Sequence, residues 1–187
     1  MIEAWYAIQV RPRYEMISRN VLEGKGYQVF LPTYQQRVPH KRAQSSSREE
    51  FLFRGYLFCR LTTDSTGKMV TTPGVIRVLG CGGKATPIPD GEISDMQKLI
   101  KSGMPRQPWR YLPAGSIVRI EEGPLAGLTG VLVSCEKDRR LVISVTLLQR
   151  SVAAILDETT IVTRLNPVIR SVGLSASSKV GSNSDHF

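Results

Sequence analysis

The sequence predicts two folded units, an α+β sandwich with a mainly antiparallel sheet followed by a small five-stranded β-barrel. Three observations predict it. The first hundred residues alternate strand-like runs with two segments whose apolar residues recur at helical spacing. Residues 115–165 instead hold short, evenly spaced, β-branched runs. Between them, residues 103–114 carry Pro105, Pro108 and Pro113 without periodicity, as a linker would. A chain of 187 residues has room for two small domains, and 41% hydrophobic content is enough for folded cores.

Residues 5–10 are rich in β-formers and open the chain as a strand closed by Pro12. Over residues 14–25, Ile17, Val21 and Leu22 fall on one side at helical spacing, and Gly24 and Gly26 end the helix. Residues 27–31 return as a strand that stops at Pro32. Residues 35–50 are polar, mostly basic and aperiodic, which reads as a flexible loop or hairpin tip. From Phe53 to Leu61 the pattern alternates. Phe53, Leu57, Cys59 and Leu61 point one way; Arg54, Tyr56, Phe58 and Arg60 point the other. A strand over 75–79 follows the turn at Pro73 and Gly74. Asp90 caps a helix over 91–102, with Glu92 favourable in its first turn and Ile93, Met96, Leu99 and Ile100 as its buried stripe.

Barrel strands are expected near 116–122, 129–134, 140–147, 151–156 and 160–165. Gly123 and Pro124 build the first turn, and Gly127 and Gly130 allow sharp bends without a Cβ penalty. Val118, Ile120, Val131, Val133, Val142, Ile143, Val145, Ile161 and Val162 are β-branched and favour strands throughout. Residues 166–187 shift to Ser, Asn and Gly and are expected to be disordered.

The net charge of +9 is unevenly spread. The first 114 residues carry +8, whereas residues 115–165 balance six basic against six acidic side chains. That split suggests one module near a polyanion and a second for a different partner. No apolar run approaches the ~20 residues that span a bilayer, and the N-terminus lacks the pattern of a signal peptide. Cys59, Cys81 and Cys135 are odd in number and have no metal-like spacing, as free thiols in a reducing cytoplasm would be. The two histidines, His40 and His186, have no Ser, Cys or carboxylate at plausible triad geometry. Asp157 and Glu158 read as a turn, and the Gly80–Gly83 cluster is too short for a phosphate loop. Neither catalysis, a metal nor a cofactor is expected.

Five motifs in order carry a family resemblance. They are Trp5-Tyr6, then Phe53-Arg54-Gly55-Tyr56-Leu57-Phe58, then Thr72-Pro73-Gly74-Val75, then Pro87 to Glu92 leading into a helix, and the Gly-rich segment 115–133. The last resembles the KOW hairpin module, and the set together resembles the NusG family over roughly residues 3–165. The resemblance implies an NGN-type domain over 1–102, a linker over 103–114 and an SH3-like KOW barrel over 115–165. It further implies a cytoplasmic monomer acting in transcription elongation or antitermination. The first domain would bind the clamp of the largest RNA polymerase subunit near the upstream fork and suppress pausing or termination. The barrel would recruit Rho or a small-subunit ribosomal protein. Three departures point to a specialised paralogue, like the antiterminators of selected long operons. Arg54 stands where Pro is usual, Leu125 and Leu128 where aromatics are common, and Leu148-Gln149-Arg150 where a Phe commonly serves.

On the same resemblance, Tyr6, Phe53, Tyr56 and Phe58 are candidates for the apolar patch that receives polymerase helices. About half of them are expected to be accessible, on a sheet with one helix-covered face. Arg11, Arg13, Arg37, Lys41 and Arg42, with Arg48 and Arg54, are candidates for non-template DNA or the polymerase gate region, or else ordinary solvated surface. Ser65 and Thr66, with Lys68, fall where related paralogues place gate contacts. Leu125, Leu128, Leu148 and Arg150 are the candidates for the barrel's partner. The competing reading is a ribosome-associated or general RNA-binding KOW protein, which predicts a basic barrel rather than a neutral one.

Overall fold

The computed structural model describes residues 3–38, 46–112, 116–134, 139–157 and 160–165, with the side chains of residues 37, 38, 46 and 134 left aside. The first unit runs β1 (Glu3–Val10), α1 (Glu15–Gly24), β2 (Gln28–Phe30), β3 (Thr33–Val38), β4 (Ser46–Phe51) and β5 (Tyr56–Thr62). After a 3-10 segment, Thr63–Thr71, come β6 (Val75–Val78), the short hairpin of β7 (Gly80–Cys81) and β8 (Lys84–Ala85), and α2 (Asp90–Lys101). Four strands form an antiparallel sheet in the order β2-β5-β1-β6. The polar run expected as a loop or hairpin tip is largely paired. β3 and β4 run from Thr33 opposite Phe51 to Val38 opposite Ser46.

Register assigns the faces of the sheet. Tyr6 lies opposite Cys59 and Ile8 opposite Leu57, so these side chains share the face packed with Leu22 of α1. Ala7 lies opposite Phe58, on the face packed with Ile93, Met96 and Leu99 of α2. Both faces are therefore covered by helix, not one. This corrects the expected half-exposed sheet.

Helix α1 also departs from its expected stripe. Its buried residues are Glu15, Ser18 and Leu22, while Ile17 is 48% exposed. Polar contacts set that rotation. Ser18 Oγ donates to the Pro73 carbonyl at 2.8 Å, and Glu15 Oε1 accepts the Gly55 N–H at 3.0 Å. The helix can approach the 72–75 turn because Gly74 has φ +84° and lacks a Cβ, which would fall 2.5 Å from Tyr14 Cβ.

The second unit is an antiparallel sheet of β9 (Arg106–Arg110), β10 (Ile117–Ile120), β11 (Thr129–Ser134), β12 (Arg139–Val145), β13 (Arg150–Leu156) and β14 (Val162–Arg164). Its order is β14-β10-β11-β12-β13-β9. The five expected strands are present with shifted ends. The sixth, β9, lies inside the segment expected to be a linker, which is a correction. An edge strand tolerates proline, so Pro108 did not preclude it. Gly130 is required by packing, because a Cβ there would lie 2.7 Å from the Val142 carbonyl oxygen.

The two units share one apolar core. Ile93, Met96 and Leu99 of α2 belong to the same buried cluster as Phe53 and Phe58 on one side and Val118, Leu128, Ile143 and Val145 on the other. Helix α2 is thus a two-sided element, packed between the first sheet and the barrel sheet.

Candidate functional site

The aromatic candidates divide between the two faces. Phe53 and Phe58 meet edge to face with ring centroids 5.4 Å apart, and Phe30 lies 6.0 Å from Phe58. Phe53 precedes β5, in the turn that Gly55 closes with φ +79°. The turn breaks the expected alternation and brings Phe53 onto the same face as Phe58. Tyr6 is on the opposite face, with its hydroxyl 3.2 Å from Thr63 Oγ1. Tyr6, Phe53 and Phe58 are all buried, at 3% exposure or less. Only Tyr56 is half-buried. The expected accessibility of about half the set is corrected to one residue in four, because the second face is closed by α2 and the barrel.

Among the barrel candidates, Leu125 and Leu128 are buried, at 2% and 0% exposure. The connection between β10 and β11 folds inward through Gly127 N–H to Ile120 carbonyl and Ile120 N–H to Leu128 carbonyl bonds of 2.7 and 2.9 Å. Both leucines, the partner candidates of the sequence, pack into the core in this arrangement. Leu148 is half-buried against the shared core. Arg150 is exposed but engaged. Its guanidinium carbon sits 5.0 Å from the Tyr56 ring centroid, and Nη1 donates to the Arg54 carbonyl at 3.5 Å.

Further polar contacts border the same seam. Glu92 accepts from Thr146 N–H at 3.1 Å and from Thr146 Oγ1 at 2.8 Å. Lys98 Nζ donates to the Ala126 carbonyl. Arg106 Nε donates to the Thr33 carbonyl at 3.0 Å, tying β9 to the first unit. Burial lowers the Arg106 pKa, with Glu49 opposing the shift. Lys98 and Arg106 were not singled out in the sequence, and Glu92 only as a favourable charge in the first turn of its helix. The signal available was indirect: loop leucines at 147 and 148 need cover, and α2 has it to give.

The basic candidates are dispersed. Arg11 and Arg13 are exposed just past β1, near the turn at Gly55, and the Arg11 N–H reaches the Gly74 carbonyl. Lys41 and Arg42 lie outside the described residues, as does the side chain of Arg37. Arg48 and Arg54 both pair with Glu50, at 3.2 and 3.1 Å. Ser65 and Thr66 sit at the other end of β1, where Glu3 opposes Thr62. Their hydroxyls make local bonds, Ser65 with Thr62 and Thr66 with the Thr63 carbonyl. The structure therefore brings Phe53, Tyr56, Phe58 and Arg150 together and leaves Ser65 and Thr66 a strand's length away.

Among the described residues, no cluster of His, Cys, Asp and Glu could hold a metal ion. Cys59 is buried, and desolvation pushes its thiol up to about 12. No helix among the described residues is long and apolar enough to cross a membrane.

A family model described as transcription termination factor nusG matches residues 3–97, the span of the first sheet and most of α2. Three curated relatives are transcription termination/antitermination proteins NusG. That of Helicobacter pylori (strain ATCC 700392 / 26695) is 24% identical over 147 residues, covering 73% of this chain and 84% of its own. That of Buchnera aphidicola is 29% identical over 169 residues, covering 82% and 92%. That of Escherichia coli K12 is 27% identical with the same coverage. Among solved structures, one on domain interaction in Thermotoga maritima NusG covers 83% of this chain and 94% of its own, at 21% identity and a TM-score of 0.46.

Proposed function

Since this chain belongs to the NusG family, we propose that it is a transcription termination/antitermination factor whose first unit docks on RNA polymerase and whose barrel recruits a second factor. The observation that carries this reading is the family match over residues 3–97, the unit that holds Phe53, Tyr56, Phe58 and α2. The finer assignment rests on chemistry. An apolar groove lined by aromatics suits a docking helix, and its energy would come from buried area at a few rings. Here that site would lie on the α2 face, with Tyr56 at its rim and Arg11 and Arg13 near the same sheet end, close to nucleic acid.

On this reading the polymerase clamp and the barrel compete for one surface. Arg150 covers Tyr56, and the barrel's core residues continue the cluster that contains Phe58. Docking a helix there requires the barrel to move away, which would also free Leu148 and Arg150 for a partner. The three departures at Arg54, Leu125 with Leu128, and Leu148 to Arg150 favour an operon-restricted role over a housekeeping one. The alternative of a general RNA-binding protein gains no support from residues 115–165, whose formal charge is zero.

The test is a reconstituted elongation assay with the full chain. Pause lifetimes or terminator readthrough should change, and Tyr56→Glu should abolish the change while leaving the chain folded. No effect of the folded full chain on elongation, with no retention by immobilised polymerase, would refute the proposal.

A further inference from the structure

The barrel has a second concave surface that the seam does not cover. Beside the turn between β10 and β11 lies a groove of about 380 Å³. Its floor is aliphatic and buried: Ile120, Leu125 and Leu156. One wall is Ile161, 52% exposed and with its side chain unspent on the core. At the rim stand two exposed carboxylates, Glu122 and Asp157, neither in an ion pair among the described residues.

We infer that this groove is a docking site for a short peptide segment of a partner protein carrying a large aliphatic side chain next to Lys or Arg. The volume admits such a side chain, and the aliphatic floor removes it from water. The rim supplies the charge complement. The two exposed carboxylates disfavour an acidic or phosphate-bearing ligand and attract a basic flank, although the Arg139 guanidinium also reaches this rim at the Thr160 carbonyl. Their sign also sets this surface apart from the chain as a whole, which carries +9. The groove is open while Arg150 and Leu128 are occupied by the seam, so it can be engaged before the two units part. This inference rests on reading the barrel as a recruiting module, but its test reads the groove itself and not transcription.

The probe is the synthetic peptide acetyl-Lys-Leu-Leu-Arg-amide, titrated into the isotope-labelled full chain and followed by amide chemical shifts. Shifts are expected at Ile120, Glu122, Leu125, Thr160 and Ile161. Glu122→Gln combined with Asp157→Asn should weaken binding roughly five- to tenfold, the scale of two rim ion pairs, as should the neutral peptide acetyl-Gln-Leu-Leu-Gln-amide. Both substitutions are isosteric and solvent-exposed, so an unchanged spectrum elsewhere verifies the fold. Three results would overturn the inference. One is no shift at these residues up to about 1 mM, the weak limit of specific recognition. A second is equal binding of the charged and neutral peptides. The third is binding that appears only in a chain ended at Leu165, which would make residues 166–187 the groove's own occupant.

Discussion

Arg150 of the barrel lies over the ring of Tyr56 in the first unit, its guanidinium carbon 5.0 Å from the ring centroid. The two residues are 94 positions apart, and each is a candidate for a different partner. On the proposed reading, their contact makes the polymerase surface and the partner surface mutually exclusive in this arrangement. A cation over a tyrosine at a solvent-accessible rim is worth about 0.5–1 kcal/mol. Arg150→Ala should therefore weaken the closed arrangement by that amount. Affinity for polymerase should rise about two- to fivefold, and the barrel should tumble more independently by nuclear spin relaxation. Unchanged relaxation would show that the apolar seam alone holds the units together.

Phe58 and Tyr56 should separate under mutation even though they are two residues apart. Phe58 is fully buried, so Phe58→Ala should cost about 3–5 kcal/mol in urea unfolding. Tyr56→Ala should cost less, about 1–2 kcal/mol, because its ring is only half-buried at the edge of the core and beneath Arg150. A polymerase-binding defect in Tyr56→Ala is then a lost contact, whereas the same defect in Phe58→Ala is lost folding.

These contrasts mark where sequence reading reached its limit. Both helices and the barrel strands over 116–165 were legible because Val118 and Ile120, or Ile93, Met96 and Leu99, repeat at periods that only one element satisfies. Helix α1 misled because Glu15 and Ser18 find partners at Gly55 and Pro73, contacts 40 and 55 residues away. Those contacts turn Ile17 outward. Phe53 misled because Gly55 inserts a turn where alternation alone reads strand. The polar contacts of the seam were unreadable, since Arg150 over Tyr56 and Glu92 against Thr146 leave no local pattern.

The two described cysteines should differ sharply in reactivity. Burial raises the Cys59 thiol to about 12, so its thiolate is scarce at neutral pH, whereas Cys81 is exposed. Brief treatment with iodoacetamide should modify Cys81 and leave Cys59 intact by peptide mass analysis. Modification of Cys59 in the folded chain would contradict the packing of the α1 face.

Asp95 on α2 supplies a pH dependence of defined sign. Burial raises its carboxyl pKa, and Lys98 pulls it partly back. Because the folded value lies above the unfolded one, the folded chain binds this proton more tightly. The stability from this group is present below the unfolded pKa and is lost as pH rises through the folded value. Asp95→Asn should flatten that part of the profile, which lies upward from the ordinary aspartate value. Identical urea midpoints against pH for the two chains would remove Asp95 from the account.

Strand β9 should prove to be a cover for β13. The Ile155 N–H donates to the Pro105 carbonyl, which marks that pair as hydrogen-bonded. Alternation then makes Ala153 with Gln107 and Ser151 with Trp109 bonded pairs, and Val152 with Pro108 an unbonded one. Pro108 thus turns its nitrogen away from β13, costs no bond to it, and blunts the outer edge against further strands. Without β9, the buried run Ser151, Val152, Ala153 and Ala154 would become an open edge strand. Replacing residues 106–110 by a Gly-Ser tract of equal length should therefore produce concentration-dependent oligomers by light scattering. Pro108→Val should do the same more mildly, by restoring an outward donor. A monomer in both variants would mean that β13 is protected by something other than this strand.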